Sequence, residues 1–454
     1  MEVAGIAADV VARVERETTE LLSQLIRIDT SNPPGNETLV AQALDAWFRD
    51  RGLQGEMVGE PAERRSFVLR LTGSRPGARL ALMAHEDVVP AEAEHWQQPP
   101  FDGIVKDGYV WGRGAVDVKN LLAAFAVTVV RLAEEGADFA GEVLFIAEAD
   151  EEDGAIGGAR WLVENRPDLV GCDYLLNEGG GEWSPLDDGR RLYELHVGEK
   201  GTAQFRVTIH GDAGHASVPT RRGNAVVGAA DAIRALHDYE PELRLDTVPR
   251  EYVELLVGDT ELRARLLDEA AARAALAELG ERDQRAADLI APLYGLTFSP
   301  TIVHSSGEAV NVYPQQAVVS VDCRMPVGWT EDRVRAEIER ALAGVDARWE
   351  LAFIGTVEGN ASPEETPYRE AIARVMRRLV PGAEVVPIHS VGFTDSNWFR
   401  AAFPGVVAYN FAPFLVDDGE TVTTLFHNVD EKIAIADLAF QSLFAYELVR
   451  ELLG

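Results

Sequence analysis

The chain has 454 residues, enough for two or three domains, and its 46% hydrophobic and 26% charged content is that of an ordinary globular enzyme. A net charge of -33 leaves no basic surplus to neutralise phosphates, which argues against a nucleic-acid or anionic-membrane partner. The two cysteines, Cys172 and Cys323, cannot build a disulfide framework or a cysteine-based zinc knuckle, so any metal site must draw on histidines and carboxylates.

The first twenty residues lack a basic-then-apolar signal. Wholly apolar runs such as 121–127 are far shorter than the roughly 20 residues that span a bilayer. A cytoplasmic, soluble protein is the expectation. Residues 8–28 have helical periodicity, with Val10, Val14, Leu21, Leu25 and Ile28 near one face. Asp29-Thr30-Ser31-Asn32-Pro33-Pro34-Gly35 breaks that helix, and the next is expected over 37–51. Segments 67–72 and 80–84 read as adjacent strands joined by a turn at 73–77. The second strand runs into His85-Glu86-Asp87-Val88-Val89-Pro90, where Pro90 ends it.

After Gly112-Arg113-Gly114-Ala115-Val116-Asp117, an apolar-rich helix is predicted over 120–135, stopped by Gly136. A buried strand at 143–147 leads into four consecutive carboxylates, Asp150-Glu151-Glu152-Asp153. A helix at 159–165 and a strand at 174–176 follow, and the strand delivers Asn177-Glu178-Gly179. Alternating strands and helices imply a mostly parallel sheet covered on both faces. The pattern changes near residue 198. Segment 202–210 alternates like a half-buried strand, and a helix at 224–236 follows. Region 251–291 reads as added helices. Strands at 297–304 and 317–324, a helix at 331–342 and a strand at 349–355 complete a small α+β sandwich inserted in the sheet domain. The first pattern resumes after 357, with a helix at 368–379, strands near Val385 and Val406, and a final helix over 433–453. The expected domains are therefore 1–198 with 357–454, and 199–356.

A histidine after an apolar run, or an aspartate after Gly-Arg-Gly, is by itself an ordinary loop residue. Several such residues at strand ends are a different matter, because ligands collect at the carboxyl ends of parallel strands. His85, Asp87, Asp117, Glu151, Glu152, Glu178 and His427 form such a set. Five of them suffice for two divalent ions if one carboxylate bridges, and mixed imidazole and carboxylate donors suit Zn²⁺, with Co²⁺ or Mn²⁺ as substitutes. Attack by water also needs a base that is not itself a ligand, and the Glu151-Glu152 doublet can divide those two tasks.

The chain resembles the dinuclear zinc amidohydrolases and exopeptidases that include aminoacylase, carboxypeptidase G, carboxypeptidase S and succinyl-diaminopimelate desuccinylase. The resemblance runs through Ser31-Asn32-Pro33-Pro34-Gly35, His85-Glu86-Asp87, Pro99-Pro100-Phe101, Gly112 to Lys119, Asp150-Glu151-Glu152, Gly214-His215-Ala216-Ser217, Asn311-Val312-Tyr313-Pro314, Asp322-Cys323-Arg324, Gly392-Phe393-Thr394-Asp395 and Phe426-His427. It implies a zinc-exopeptidase-like α/β catalytic domain with an inserted ferredoxin-like lid and dimerisation domain. It implies that His85 and Glu178 hold one metal, that Glu152 and His427 hold the other, and that Asp117 bridges them, followed by a cis bond to Val118. Asp87 would orient His85. Glu151 would be the general base. His215 would reach the partner subunit of a homodimer and stabilise the oxyanion, with capping of its own turn as the competing role. Asn311, Arg324 and Gly392-Phe393-Thr394 would bind the substrate's carboxylate, although Asp322 is a competing partner for Arg324 and Phe393 stands where the family usually has a small residue.

The Asn177-Glu178-Gly179-Gly180 loop and the segment after His427 look closest to the carboxypeptidase S and N-acyl amino acid hydrolase branch. Hydrolysis of N-acyl amino acids or short peptides that release an amino acid with a free carboxylate is therefore expected, with a desuccinylase-like or acetylornithine deacetylase-like deacylase as the alternative. Gly112-Arg113-Gly114-Ala115-Val116-Asp117 also resembles a dinucleotide fingerprint, but Asp117 would repel a pyrophosphate. No Gly-x-Ser-x-Gly elbow occurs, which argues against a serine hydrolase. A non-catalytic scaffold would be expected to have lost the base or a ligand, and this sequence keeps Glu151 and all five candidate ligands.

Overall fold

Four apolar strands, Arg75–His85, Ala140–Glu148, Tyr174–Asn177 and Val407–Asn410, run parallel and end on one side of a single sheet. The structure is a computed structural model that describes residues 3–218, 223–307 and 309–454. Side chains alternate across these strands, and both faces are buried. Leu80, Leu82, Val143 and Phe145 enter one core, whereas Ala81, Met83, Leu144 and Ile146 enter the other.

The larger core is closed by helices. Lys119–Glu134 and Ile435–Leu453 are buried on nearly every side, and Ala8–Ile26, Thr38–Arg49 and Pro367–Leu379 contribute apolar stripes. Phe48 anchors it, with its ring 5.7 Å from Phe67 and 5.1 Å from Phe145. Full burial of such a side chain is worth about 1.5–3 kcal/mol. The opposite face is covered by Ala159–Asn165 and Ser396–Ala402 through Leu162 and Phe399.

Three features of the strands depart from the sequence expectation. Ser66–Thr72 and Arg75–His85 are not neighbours, because Ala140–Glu148 lies between them, antiparallel to the first and parallel to the second. The apolar residues of the predicted strands show what is buried, but such a pattern carries no information about which strand pairs with which. Short strands at Ile104–Lys106, Tyr109–Trp111 and Lys432–Ala434 were also not anticipated. They form a separate three-stranded sheet in which Lys432–Ala434 pairs antiparallel with Tyr109–Trp111. Arg191–Glu199 adds a further unanticipated strand, beside Val407–Asn410.

The chain divides into two compact units. The first comprises Met1–Val197, Ser362–Ile388 and Thr394–Gly454. The second comprises Gly198–Ala361 with His389–Phe393. In the second unit, four antiparallel strands lie in the order Thr297–Ser305, Gln316–Met325, Gly201–His210, Arg348–Val357. Phe205, Val207 and Ile209 point from the central strand into a core shared with Ala225–His237 and Glu331–Leu342. The added helices are Arg250–Leu256, Thr260–Leu266, Ala272–Arg282 and Gln284–Ile290. Just beyond them, the carbonyls of Pro292 and Gly295 accept from the buried Lys200 Nζ. Among the described residues no helix is long and apolar enough to cross a membrane.

Candidate functional site

Four of the metal-site candidates leave the ends of main-sheet strands, and Asp117 and His427 lie in loops. His85 is the last residue of its strand and lies beside Glu148 in the parallel ladder. Glu178 follows Tyr174–Asn177 directly, and Glu151 and Glu152 follow Ala140–Glu148. Asp117 sits between the strand Tyr109–Trp111 and the helix Lys119–Glu134, and its peptide bond to Val118 is cis. His427 precedes Lys432–Ala434, so the small three-stranded sheet draws its segment toward the Asp117 loop. The turn at Gly112 needs glycine: its φ is +146°, and a Cβ there would lie 2.5 Å from Ile26 and 2.7 Å from the Pro100 carbonyl.

These side chains converge. His85 Nε2 lies 3.2 Å from Asp117 Oδ1 and 3.5 Å from Glu178 Oε2. His427 Nε2 lies 3.1 Å from Asp117 Oδ2 and 3.2 Å from Glu152 Oε2. The two oxygens of Asp117 therefore face two different imidazoles. Donor atoms of His85, Asp117 and Glu152 lie within 4.8 Å of one another, as do those of His85, Glu151 and Glu178. His85 Nδ1 faces the Asp87 backbone carbonyl at 3.0 Å, which leaves Nε2 for the cluster. Glu152 Oε1 is buried without a hydrogen-bond partner. Two imidazoles and several carboxylates around a bridging aspartate, with one carboxylate oxygen unspent, fit a pair of divalent cations.

The electrostatics follow from crowded carboxylates. Desolvation, then the neighbouring Glu178, pushes Glu151 well above the usual carboxylate range. Burial alone would lower His85, but Glu178, Asp117 and Asp87 outweigh it and hold the imidazole well above its ordinary value. Hydrogen bonds to Asp117 and Glu152 raise His427 to about 10. Burial would raise Asp117, yet His427 and His85 hold it below its ordinary value. The surplus negative charge that raises both histidines is the field that attracts divalent cations.

Asp87 is fully buried under the cluster. It accepts from the backbone N–H of Glu151 at 3.2 Å and of Glu152 at 3.0 Å, and from Asn32 Nδ2 at 2.8 Å. Asp87 thus braces His85 through its backbone carbonyl and the Glu151-Glu152 turn through its carboxylate. Asn32 also bonds Asp150 at 3.2 Å, and Arg64 reaches both Asp150 and Glu37. The motif at 31–35 had marked Asn32 without a task, and a polar residue's buried partners cannot be read from its neighbours in sequence.

The carboxylate-binding candidates divide between the units. Thr394 belongs to the first unit, where it is buried and its Oγ1 accepts from Asn410 Nδ2 at 2.9 Å. Gly392, Phe393, His215, Asn311 and Arg324 belong to the second. There His215 is exposed, in a two-residue strand paired with Val312–Tyr313, and its Nδ1 lies 2.8 Å from Ser217 Oγ. Asn311 is exposed and its carbonyl accepts from Ala216 N–H. Arg324 Nε donates to Asp322 at 2.9 Å, the competing partner that the sequence had suggested.

The sequence model of peptidase family M20/M25/M40 matches residues 81–451. A succinyl-diaminopimelate desuccinylase of Halorhodospira halophila is 33% identical over 229 residues, which is 48% of this chain and 56% of that protein. The human N-fatty-acyl-amino acid synthase/hydrolase PM20D1 is 25% identical over 415 residues, covering 86% of this chain and 78% of the relative. An M20 family metallo-carboxypeptidase of Sulfolobus solfataricus shares the fold with a TM-score of 0.73 at 17% identity, over 96% of this chain and 99% of the other.

Proposed function

Because the chain belongs to peptidase family M20/M25/M40, and is thereby an amide-bond hydrolase that depends on metal, we propose that it is a dinuclear zinc enzyme cleaving N-acyl amino acids or short peptides to release an amino acid with a free carboxylate. The observation that carries this reading is the placement of both Asp117 oxygens, 3.2 Å and 3.1 Å from the Nε2 atoms of His85 and His427. His85 and Glu178 would hold one ion, Glu152 and His427 the other, and Asp117 would bridge. Bound there, two such ions supply a polarised scissile carbonyl and an acidified water.

The chain's own groups do the rest. Glu151 is the base, taking the water's proton and returning it to the leaving amine. Burial and the neighbouring Glu178 raise its proton affinity, the direction that accepting a proton requires. Asp87 fixes the His85 tautomer and the turn that carries Glu151. Arg324, Asn311 and Gly392-Phe393-Thr394 are proposed to hold the free carboxylate, and His215 the oxyanion, donated across a homodimer. The second unit would then be the lid and dimerisation domain, and the enzyme cytoplasmic.

The N-acyl amino acid reading draws support from the match to PM20D1 along 86% of the chain. Desuccinylation is a second reading, favoured by the 33% identity to the bacterial desuccinylase. That match spans only about half the length of its relative, 56%. Acetyl, long-chain acyl and succinyl amino acids, with dipeptides, separate the two. The test pairs wild type with Glu151→Gln. Wild type should carry about two zinc ions per chain and hydrolyse an N-acyl amino acid, while the variant keeps the metal and loses about 100-fold or more in kcat. No cleavage of any free-carboxylate amide by metal-loaded wild type refutes the substrate class.

A further inference from the structure

The loop that presents Asp117 is folded around a carboxylate from a distant part of the chain. Glu431 is fully buried. Its Oε1 accepts from the backbone N–H of Val116 at 2.7 Å and of Asp117 at 3.1 Å. Its Oε2 accepts from Gly114 N–H at 3.1 Å and Arg113 Nη1 at 2.8 Å. The Gly112 N–H also reaches the Glu431 carbonyl at 3.0 Å. Each carboxylate oxygen thus has two donors, which uses the four lone-pair positions of the ionised group. Convergent backbone N–H groups of this kind form a concavity shaped by the anion inside it.

Glu431 lies four residues after His427, and the two differ sharply in burial. The His427 side chain is 56% exposed, so packing does little to hold it. Its segment is instead fastened at the far end. Asp430 accepts from the backbone and side-chain N–H of Gln97 at 2.7 and 2.8 Å, and Glu431 enters the loop of Asp117. One residue therefore ties together the two segments that carry Asp117 and His427. His85 and Glu178 need no such tie, because each stands at the end of a strand of the main sheet.

We propose that Glu431 is a positioning residue that holds Asp117 and His427 in register for the ion shared by Asp117, Glu152 and His427. The proposal rests on the dinuclear reading of the site. Asp117 faces both ions but His427 only one, so loss of Glu431 weakens the ion of Glu152 and His427 more than the other, whereas a residue that merely stabilised the fold would weaken both alike or neither.

The test is Glu431→Gln, which keeps the shape but turns one acceptor oxygen into a donor facing two other donors. Bound zinc per chain is measured after dialysis at graded free zinc, alongside far-UV circular dichroism. The variant should bind the ion of Glu152 and His427 at least about tenfold more weakly, the range found when a group supporting a metal ligand is removed, and the ion of His85 and Glu178 more weakly by a smaller factor. The double variant Arg113→Met/Glu431→Gln removes the buried charge pair together. It should show the same unequal weakening and a thermal midpoint nearer that of wild type, and it decides the matter if the single variant does not fold. Two ions at wild-type affinity, or two weakened by the same factor, in either folded variant overturn the proposal. A wild type that binds no zinc overturns the dinuclear reading, and this proposal with it.

Discussion

Replacing Asp87 by asparagine probes the bracing of the site without touching a proposed ligand. The carboxylate is fully buried and already bonded on both oxygens. Asparagine will keep its oxygen where the demand is greater, at Oδ2, which serves Asn32 at 2.8 Å and the Glu152 N–H at 3.0 Å. Its amide nitrogen then replaces Oδ1 and confronts the Glu151 N–H, formerly bonded at 3.2 Å. One buried backbone donor is left without an acceptor, at about 1–3 kcal/mol. Expressed through the turn that carries Glu151 and Glu152, that is roughly a 5- to 150-fold effect. The loss of the negative charge beside His85 Nδ1, 3.5 Å away, acts in the same direction by weakening the imidazole as a donor. The expected result is a fall in kcat/KM of about 10- to 100-fold on an N-acyl amino acid at saturating zinc, with zinc affinity reduced by a similar factor. The assay is steady-state hydrolysis beside a zinc titration, on protein shown by circular dichroism to be folded. A folded variant within about twofold of wild type in both measurements would refute the assigned role of Asp87.

Two further outcomes are expected. Gly158→Ala would place a Cβ 1.6 Å from the Ala149 carbonyl, at the base of the loop carrying Glu151 and Glu152. It should cost about 3 kcal/mol of stability and weaken zinc binding, and an unchanged thermal midpoint contradicts this. Lys200 is buried, and desolvation lowers it from 10.5 to about 8. Between these values the unfolded chain binds more protons than the folded one, so this group makes stability rise with pH across the window, and below about pH 8 its charge is a constant penalty. Relative to Lys200→Met, the wild type should therefore gain about 3 kcal/mol between pH 8 and 10.5 in urea unfolding, and a pH-independent difference would show that Lys200 is not desolvated.

The apolar segments that became Arg75–His85, Ala140–Glu148 and Tyr174–Asn177, and the residues leaving their ends, are written locally in the chain. An apolar run bounded by breakers specifies a buried strand whatever surrounds it. A histidine or carboxylate placed just beyond such a run is carried to the edge of the sheet with it. The helices at Ala159–Asn165 and Glu331–Leu342 were likewise recoverable from their periodicity. Strand order was not. Ser66–Thr72 exposes Arg70 and Thr72, and Arg75–His85 is buried only from Leu80 onward, and neither pattern revealed that Ala140–Glu148 would lie between them.

Three-residue strands such as Tyr109–Trp111 and Lys432–Ala434 are too short to show a period, yet their pairing links the Asp117 loop to the His427 segment. The buried task of Asn32 and the enclosure of Glu431 had no signature for the same reason. A polar side chain's partners are chosen by whichever donors the fold brings within hydrogen-bond range, and here the Glu431 donors lie more than 300 positions away in the chain. Local periodicity settles what a segment becomes. Only packing settles what it meets, because the free energy of a contact belongs to both of its partners.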